Sequence, residues 1–133
     1  MDLLARREHS RLELERKLKA RAFAGPELDG VLDELEHEGL LSDTRFAQSF
    51  AAARYARGQG PYRIRRDLKE RGVEVADELD GFDWSASARQ ARVKRFGHDA
   101  PADLKDRARQ IRFLEYRGFG QDEIRHALEF EDE

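Results

Sequence analysis

An apolar residue, three further residues, a glycine and another apolar residue recur along this chain: Leu35…Gly39-Leu40, Leu68…Gly72-Val73 and Leu114…Gly118-Phe119. This is the spacing of a helix closed by a Schellman cap. The glycine turns left-handed just beyond the helix, and the apolar residue after it folds back onto the last turn. Leu18…Ala22-Phe23 keeps the spacing with alanine in the left-handed place, where a Cβ is unfavourable. Such endings commit the chain to a succession of short helices. Only 4 Val, 3 Ile and 1 Thr are present, too few β-branched residues for a sheet protein.

Helix starts are marked as well. Ser10-Arg-Leu-Glu13 reads as a capping box and Ser42 as a second N-cap. Pro26, Pro61 and Pro101 each follow a small residue and open a periodic run, the first-turn position where a missing N–H is harmless. The spacing predicts helices over 2–8, 11–21, 26–38, 43–57, 61–71, 74–81, 85–96, 101–117 and 121–129, with a loop at 97–100.

These helices repeat in threes. Leu14, Leu18, Arg21 and Phe23 match Ile64, Leu68, Arg71 and Val73 at an offset of 50, and that set matches the segment ending in Leu114, Arg117, Gly118 and Phe119 at an offset of 46. After the cap, Leu28 and Leu32 match Ile124 and Leu128, with Leu79 and Phe82 a looser middle copy. The expectation is an all-α protein of three tandem three-helix repeats over 1–42, 43–84 and 85–133, the last carrying an acidic tail. With 17 Ala among its hydrophobic residues, each copy has too little apolar bulk to stand alone. Neighbours must stack into an elongated array.

Charge follows the repeat. The 28 acids and 25 basic residues give a net charge of −3, but they are segregated. Residues 27–43 are −7, 54–72 are +5, 73–88 are −5, 89–117 are +5 and 119–133 are −5. Basic central helices therefore alternate with acidic third helices. Glu34, Glu36, Glu38 and Asp43 are expected to be exposed, since an unpaired buried carboxylate is too costly. They are read as a solvated face and not a metal site.

Catalytic patterns are missing. There is no Cys, no HExxH and no phosphate-loop sequence. His9, His37, His98 and His126 are read as surface or helix-end residues, and no serine has a His–Asp arrangement around it. Gly58-Gln-Gly60-Pro61 resembles a phosphate-cradling turn, but no strand precedes it, so it reads as a helix connector. No enzymatic activity, cofactor or metal is expected. No apolar run reaches the ~18 residues of a membrane span, and Met1 is not followed by an apolar signal segment, so a soluble cytoplasmic protein is expected.

Basic and aromatic residues interleave in Arg54-Tyr55-x-Arg57, Tyr62-Arg63-x-Arg65-Arg66 and Arg112-Phe113-Leu114-x-Tyr116-Arg117. At 100° per residue, Arg63 and Arg66 lie off the Ile64/Leu68 face, and Arg109 and Arg112 take the equivalent places 46 residues later. These four are expected to project from the array. Phe113, Tyr116 and Phe119 are expected in the core. The candidate partner-binding set is Arg54, Arg57, Arg63, Arg66, Arg109, Arg112 and Arg117.

Four stretches carry a family resemblance: Leu4-Ala-Arg-Arg-Glu-His-Ser-Arg, Ser42-Asp43-x-Arg45-Phe46-Ala47, Gly58-x-Gly60-Pro61-x-Arg63-Ile64 and Arg112-Phe113-Leu114-x-Tyr116-Arg117-Gly118-Phe119. Together, in this order and from residue 3 to about 128, they resemble the RecX regulatory family. The resemblance implies tandem three-helix repeats in a curved rod. It implies a partner, the RecA recombinase filament on single-stranded DNA, whose recombinase, ATPase and co-protease activities the protein inhibits, and no enzymatic activity of its own. This chain departs from the pattern in having Ala22 where later copies have Gly, and in beginning almost at the first motif. A surface charged in this way also suits a second reading, a direct DNA-binding helical protein that uses the basic helices of repeats two and three. A helical scaffold with another partner is the third.

Overall fold

The helix ends organise the molecule. A computed structural model describes residues 3–4, 7–23 and 25–129. In it the chain forms α1 (Arg11–Ala20), α2 (Pro26–His37), α3 (Asp43–Ala56), α4 (Pro61–Glu70), α5 (Trp84–Phe96), α6 (Leu104–Arg117) and α7 (Gln121–Ala127), with no strand among the described residues. All four expected caps form. Phe23, Leu40, Val73 and Phe119 donate their N–H to the carbonyls of Leu18, Leu35, Leu68 and Leu114 at 2.9–3.1 Å. Gly72 and Gly118 take φ of +79° and +99°, and Ala22 takes +72° despite its Cβ. The Ser10–Glu13 capping box closes in both directions, and Ser42 caps α3.

Where the structure departs from expectation, a local competitor explains it. Residues 74–81 are not a helix. The Glu78 carboxylate accepts from the Ala76 N–H at 2.8 Å, and Asp77–Asp80 close a turn. A short acidic run before Gly81 does not offset the cost of helix nucleation. Pro26 and Pro61 open helices, but Pro101 does not: α6 begins at Leu104, because Asp103 accepts from the Asp106 N–H and Asp106 accepts from the Ala102 N–H. Two aspartates thus define the start more strongly than the proline. Of the expected helix 2–8, residues 3–4 are helical and 7–8 are not; residues 1, 2, 5 and 6 lie outside the described residues.

Three separate cores line up along the chain. Leu14, Leu18, Leu28, Leu32 and Leu41 form the first. Phe46, Ala47, Ala51, Ile64, Leu68, Val73 and Leu79 form the second. Ala88, Leu114, Phe119, Ile124, Ala127 and Leu128 form the third, and Trp84 packs against both of the last two. The accessible surface of 9011 Å² exceeds the ~7,200 Å² that scaling gives a compact monomer of this mass, as an elongated array should.

The units join head to tail. At the first joint, the Ser10 hydroxyl at the head of α1 donates to the Arg71 carbonyl at the tail of α4, at 2.8 Å. At the second, the N–H groups of Gly60 and Tyr62 at the head of α4 donate to the carbonyls of Arg117 and Gly118 at the tail of α6, at 2.8 and 3.0 Å. A Cβ added at Gly60 would fall on the Gly118 backbone, and one at Gly118 would fall on Arg63. The central helices α1, α4 and α6 therefore form one column.

Candidate functional site

The column carries most of the basic residues singled out above, and the joints decide which of them face solvent. Arg66 on α4 is exposed and, among the described residues, pairs with Asp67 at 3.3 Å. Arg112 on α6, its equivalent, is exposed and has no hydrogen bond or ion pair among the described residues. Arg109 is exposed, bonded to Asp106 at 2.9 Å and stacked 5.0 Å from the centre of the Phe96 ring. Arg63 departs from its expected projection. It is half-buried at the second joint, against Gly118, with its Nε enclosed and unpartnered and its guanidinium 5.7 Å from the Tyr116 ring. Repeat symmetry fails there because α4 abuts a following unit at its head, whereas the head of α6 is closed by its own aspartates.

Of the other three, Arg54 and Arg57 lie off the column and Arg117 ends α6 at the second joint. Arg54 is held inside the second unit, bonded to Asp67 at 2.9 Å and Gln59 at 3.0 Å and lying 4.4 Å over Phe50. Such a partly buried, well-bonded pair fixes α3 against α4, and removing one partner leaves the other charge poorly solvated. Arg57 is exposed just past α3, and its carbonyl accepts from Arg117 Nη1 at 3.1 Å. Arg117 is half-buried and stacked on Phe113 at 5.0 Å.

Aromatic placement corrects a second expectation. Phe119 is buried and Phe113 packs on the third core, but Tyr116 is 80% exposed. Two residues beyond Leu114, it points about 200° away from the core face. Tyr62 at the head of α4 is also exposed, and Arg65 beside it is a further exposed cation that the paired-arginine reading passed over. Helical phase alone, applied to Tyr116, was signal enough.

Charge elsewhere is more tightly engaged. Arg11 bonds Asp33 and Glu36 at 2.7 and 2.6 Å, and hydrogen bonding to Glu36 first and Asp33 second raises its pKa. Glu34, Glu36 and Glu38 are exposed as expected. Asp43 is half-buried because its Oδ1 caps α1, accepting from the Arg11 N–H at 2.8 Å. The Asp106 carboxyl is held below its ordinary pKa by the Ala102 N–H and then by Arg109. Arg92 is almost wholly buried, bonded to Gln110 at 2.8 Å and to the Asp99 carbonyl, and burial lowers its pKa.

His37, His98 and His126 are exposed, but His9 is 1% exposed and not a surface residue. Its Nδ1 lies 3.1 Å from the Arg7 carbonyl and its Nε2 lies 2.9 Å from Lys17 Nζ. Those contacts require Nδ1 to donate and Nε2 to accept, so the ring is neutral. Burial, followed by the charges of Arg7 and Lys17, pushes its pKa down against the raising influence of the Arg7 carbonyl and Glu13. Ser10 thus belongs to the first joint, and His9 beside it is packed within the first unit and not on a solvated surface.

Comparison with known proteins covers the chain in three pieces. Residues 1–35 match the family model described as RecX, first three-helix domain; 42–77 match the second three-helix domain and 83–128 the third. A protein named Regulatory protein RecX from Pseudomonas fluorescens (strain Pf-5) is 44% identical over 134 residues, 96% of this chain and 86% of the relative. One of the same name from Halorhodospira halophila is 45% identical over 137 residues, 98% of this chain and 84% of the relative. The crystal structure of RecX from Lactobacillus salivarius superposes with a TM-score of 0.81 at 19% identity, over 95% of this chain and 87% of that one.

Proposed function

This chain belongs to the RecX family of regulatory proteins, and from that premise we propose that it binds the RecA filament on single-stranded DNA and inhibits its recombinase, ATPase and co-protease activities. It acts without enzymatic chemistry of its own, as a cytoplasmic monomer. Its three units, 1–42, 43–84 and 85–133, each supply part of the contact.

The observation that carries this reading is the pair of exposed basic faces on α4 and α6, with Arg66 and Arg112 in corresponding places and Arg109 beside them. Exposed ion pairs such as Arg109–Asp106 add only about 0–1 kcal/mol to stability. Folding therefore gives little reason for these guanidinium groups, which hold carboxylates and phosphates bidentately. Contacts repeated along a rod add through effective concentration on a polymeric partner. Arg57, Arg63 and Arg117 flank this face at the second joint, and Arg54 supports it from within the unit.

The triple variant Arg66→Ala, Arg109→Ala, Arg112→Ala should keep its melting temperature. It should lose about tenfold or more of its affinity for RecA–single-stranded DNA filaments in co-sedimentation, about 1.4 kcal/mol. Its inhibition of RecA-dependent ATP hydrolysis should weaken in step. Undiminished inhibition by the folded variant places the contact elsewhere. Equal retention of the parent on naked single-stranded DNA favours direct DNA binding.

A further inference from the structure

We propose that the cleft where the end of α3 meets α5 and α6 is a phosphate-binding site sized for one nucleotide unit. The cleft measures about 500 Å³ and is lined by Arg57, Lys94, Arg95 and Arg117 with no Asp or Glu. Two other clefts of the molecule carry acidic side chains, Asp80 and Glu123 in one and Asp83 in the other. None of the cleft's four cations takes part in an ion pair among the described residues. Four like charges converging in a concave surface raise the local potential, and an anion relieves it.

Geometry favours phosphate over a lone carboxylate. Arg117 is held in place before any ligand arrives, stacked on Phe113 and bonded through Nη1 to the Arg57 carbonyl at 3.1 Å. That bond uses one of the five donors a guanidinium carries, and the rest remain for a multidentate anion. Tyr55 and Phe113 supply an aromatic lining, which suits the base or sugar that accompanies a phosphate. The volume lies in the range of small-ligand sites. Lys94 and Arg95 stand on the last turn of α5 and belong to no part of the filament-contact face. Arg57 and Arg117 border both that face and this cleft, so the test rests on Lys94 and Arg95.

The test uses the full chain with no recombinase present, so its failure leaves the filament reading standing. Calorimetric titration at low salt with pyrophosphate, ADP and a short oligo(dT) should show binding. The affinity should fall about tenfold or more in Lys94→Ala/Arg95→Ala, with an unchanged circular dichroism spectrum and melting temperature. Should the alanine variant lose its fold, Lys94→Gln/Arg95→Gln, which keeps side-chain length, takes its place. Tighter binding of oligo(dT) per phosphate assigns the site to a nucleic-acid backbone, and tighter binding of ADP assigns it to a free nucleotide; both support it. The proposal is overturned if none of the phosphate probes binds, if the folded double variant binds them as the parent does, or if a glutamate-rich peptide binds while the phosphate probes do not.

Discussion

At the first joint the head of one helix meets the tail of the next through side chains; at the second it does so through backbone. Ser10 reaches the Arg71 carbonyl with its hydroxyl, Leu12 lies over Gly72, and Glu8–Arg45 and Glu13–Arg71 pair around them. Gly60 and Tyr62 instead give their own N–H groups to Arg117 and Gly118, with no room for a Cβ at either glycine. A Cβ at Gly72 of the first joint would also crowd its neighbour, 2.8 Å from the Leu12 side chain, but at the second joint the obstacle to a Cβ includes backbone at both glycines. The first joint can be tuned by sequence and solution conditions. The second is all or nothing.

The largest test of that contrast is Gly60→Val. Its side chain must displace the Gly118 backbone, so the expected loss is about 3–5 kcal/mol, read by chemical denaturation. A loss below about 1 kcal/mol would mean that the second joint gives way and that the contrast is false. Ser10→Ala should cost less, about 1 kcal/mol for the lost cap and about 1 kcal/mol more for the stranded Arg71 carbonyl. Arg45→Ala, which removes an exposed pair with Glu8 at 2.9 Å, should change stability by no more than about 0.5 kcal/mol.

Acid probes the first unit beside its joint, at the residue next to Ser10. His9 is neutral and its pKa is depressed below the ordinary 6.5 in the folded state. Below that value the unfolded chain binds a proton that the folded chain resists. The histidine's stabilising contribution is therefore complete above pH 6.5 and falls away as pH drops beneath it. Melting temperature should decline over that window in the parent, and less in His9→Gln. Equal declines would remove His9 from the account.

Much of this was legible from one dimension. The four Schellman endings, the Ser10 box and the Ser42 cap are local devices, satisfied within five residues, so sequence spacing suffices to place them. The cores built on Leu14/Leu18, Ile64/Leu68 and Leu114 follow from helical phase. Where a second local device competed, spacing alone misled, as when Asp103 and Asp106 overrode Pro101 and the Glu78 carboxylate held 74–81 out of a helix. The candidate arginines were legible as a set, but their environments were not.

Sequence by itself determined the class of the molecule: an all-helical chain of three units with basic central helices. Composition and cap spacing act within a unit and need no partner in space. Tertiary structure alone decided what each unit does to the next. Whether Arg63 projects or is trapped, whether Ser10 only caps its helix or also bridges two units, and whether Arg57, Lys94, Arg95 and Arg117 converge depend on contacts between residues up to 60 or so positions apart. No local pattern encodes those distances. They are set by how closely one helix head can approach another helix tail, and that depends on the carbonyls, glycines and hydroxyls brought together there.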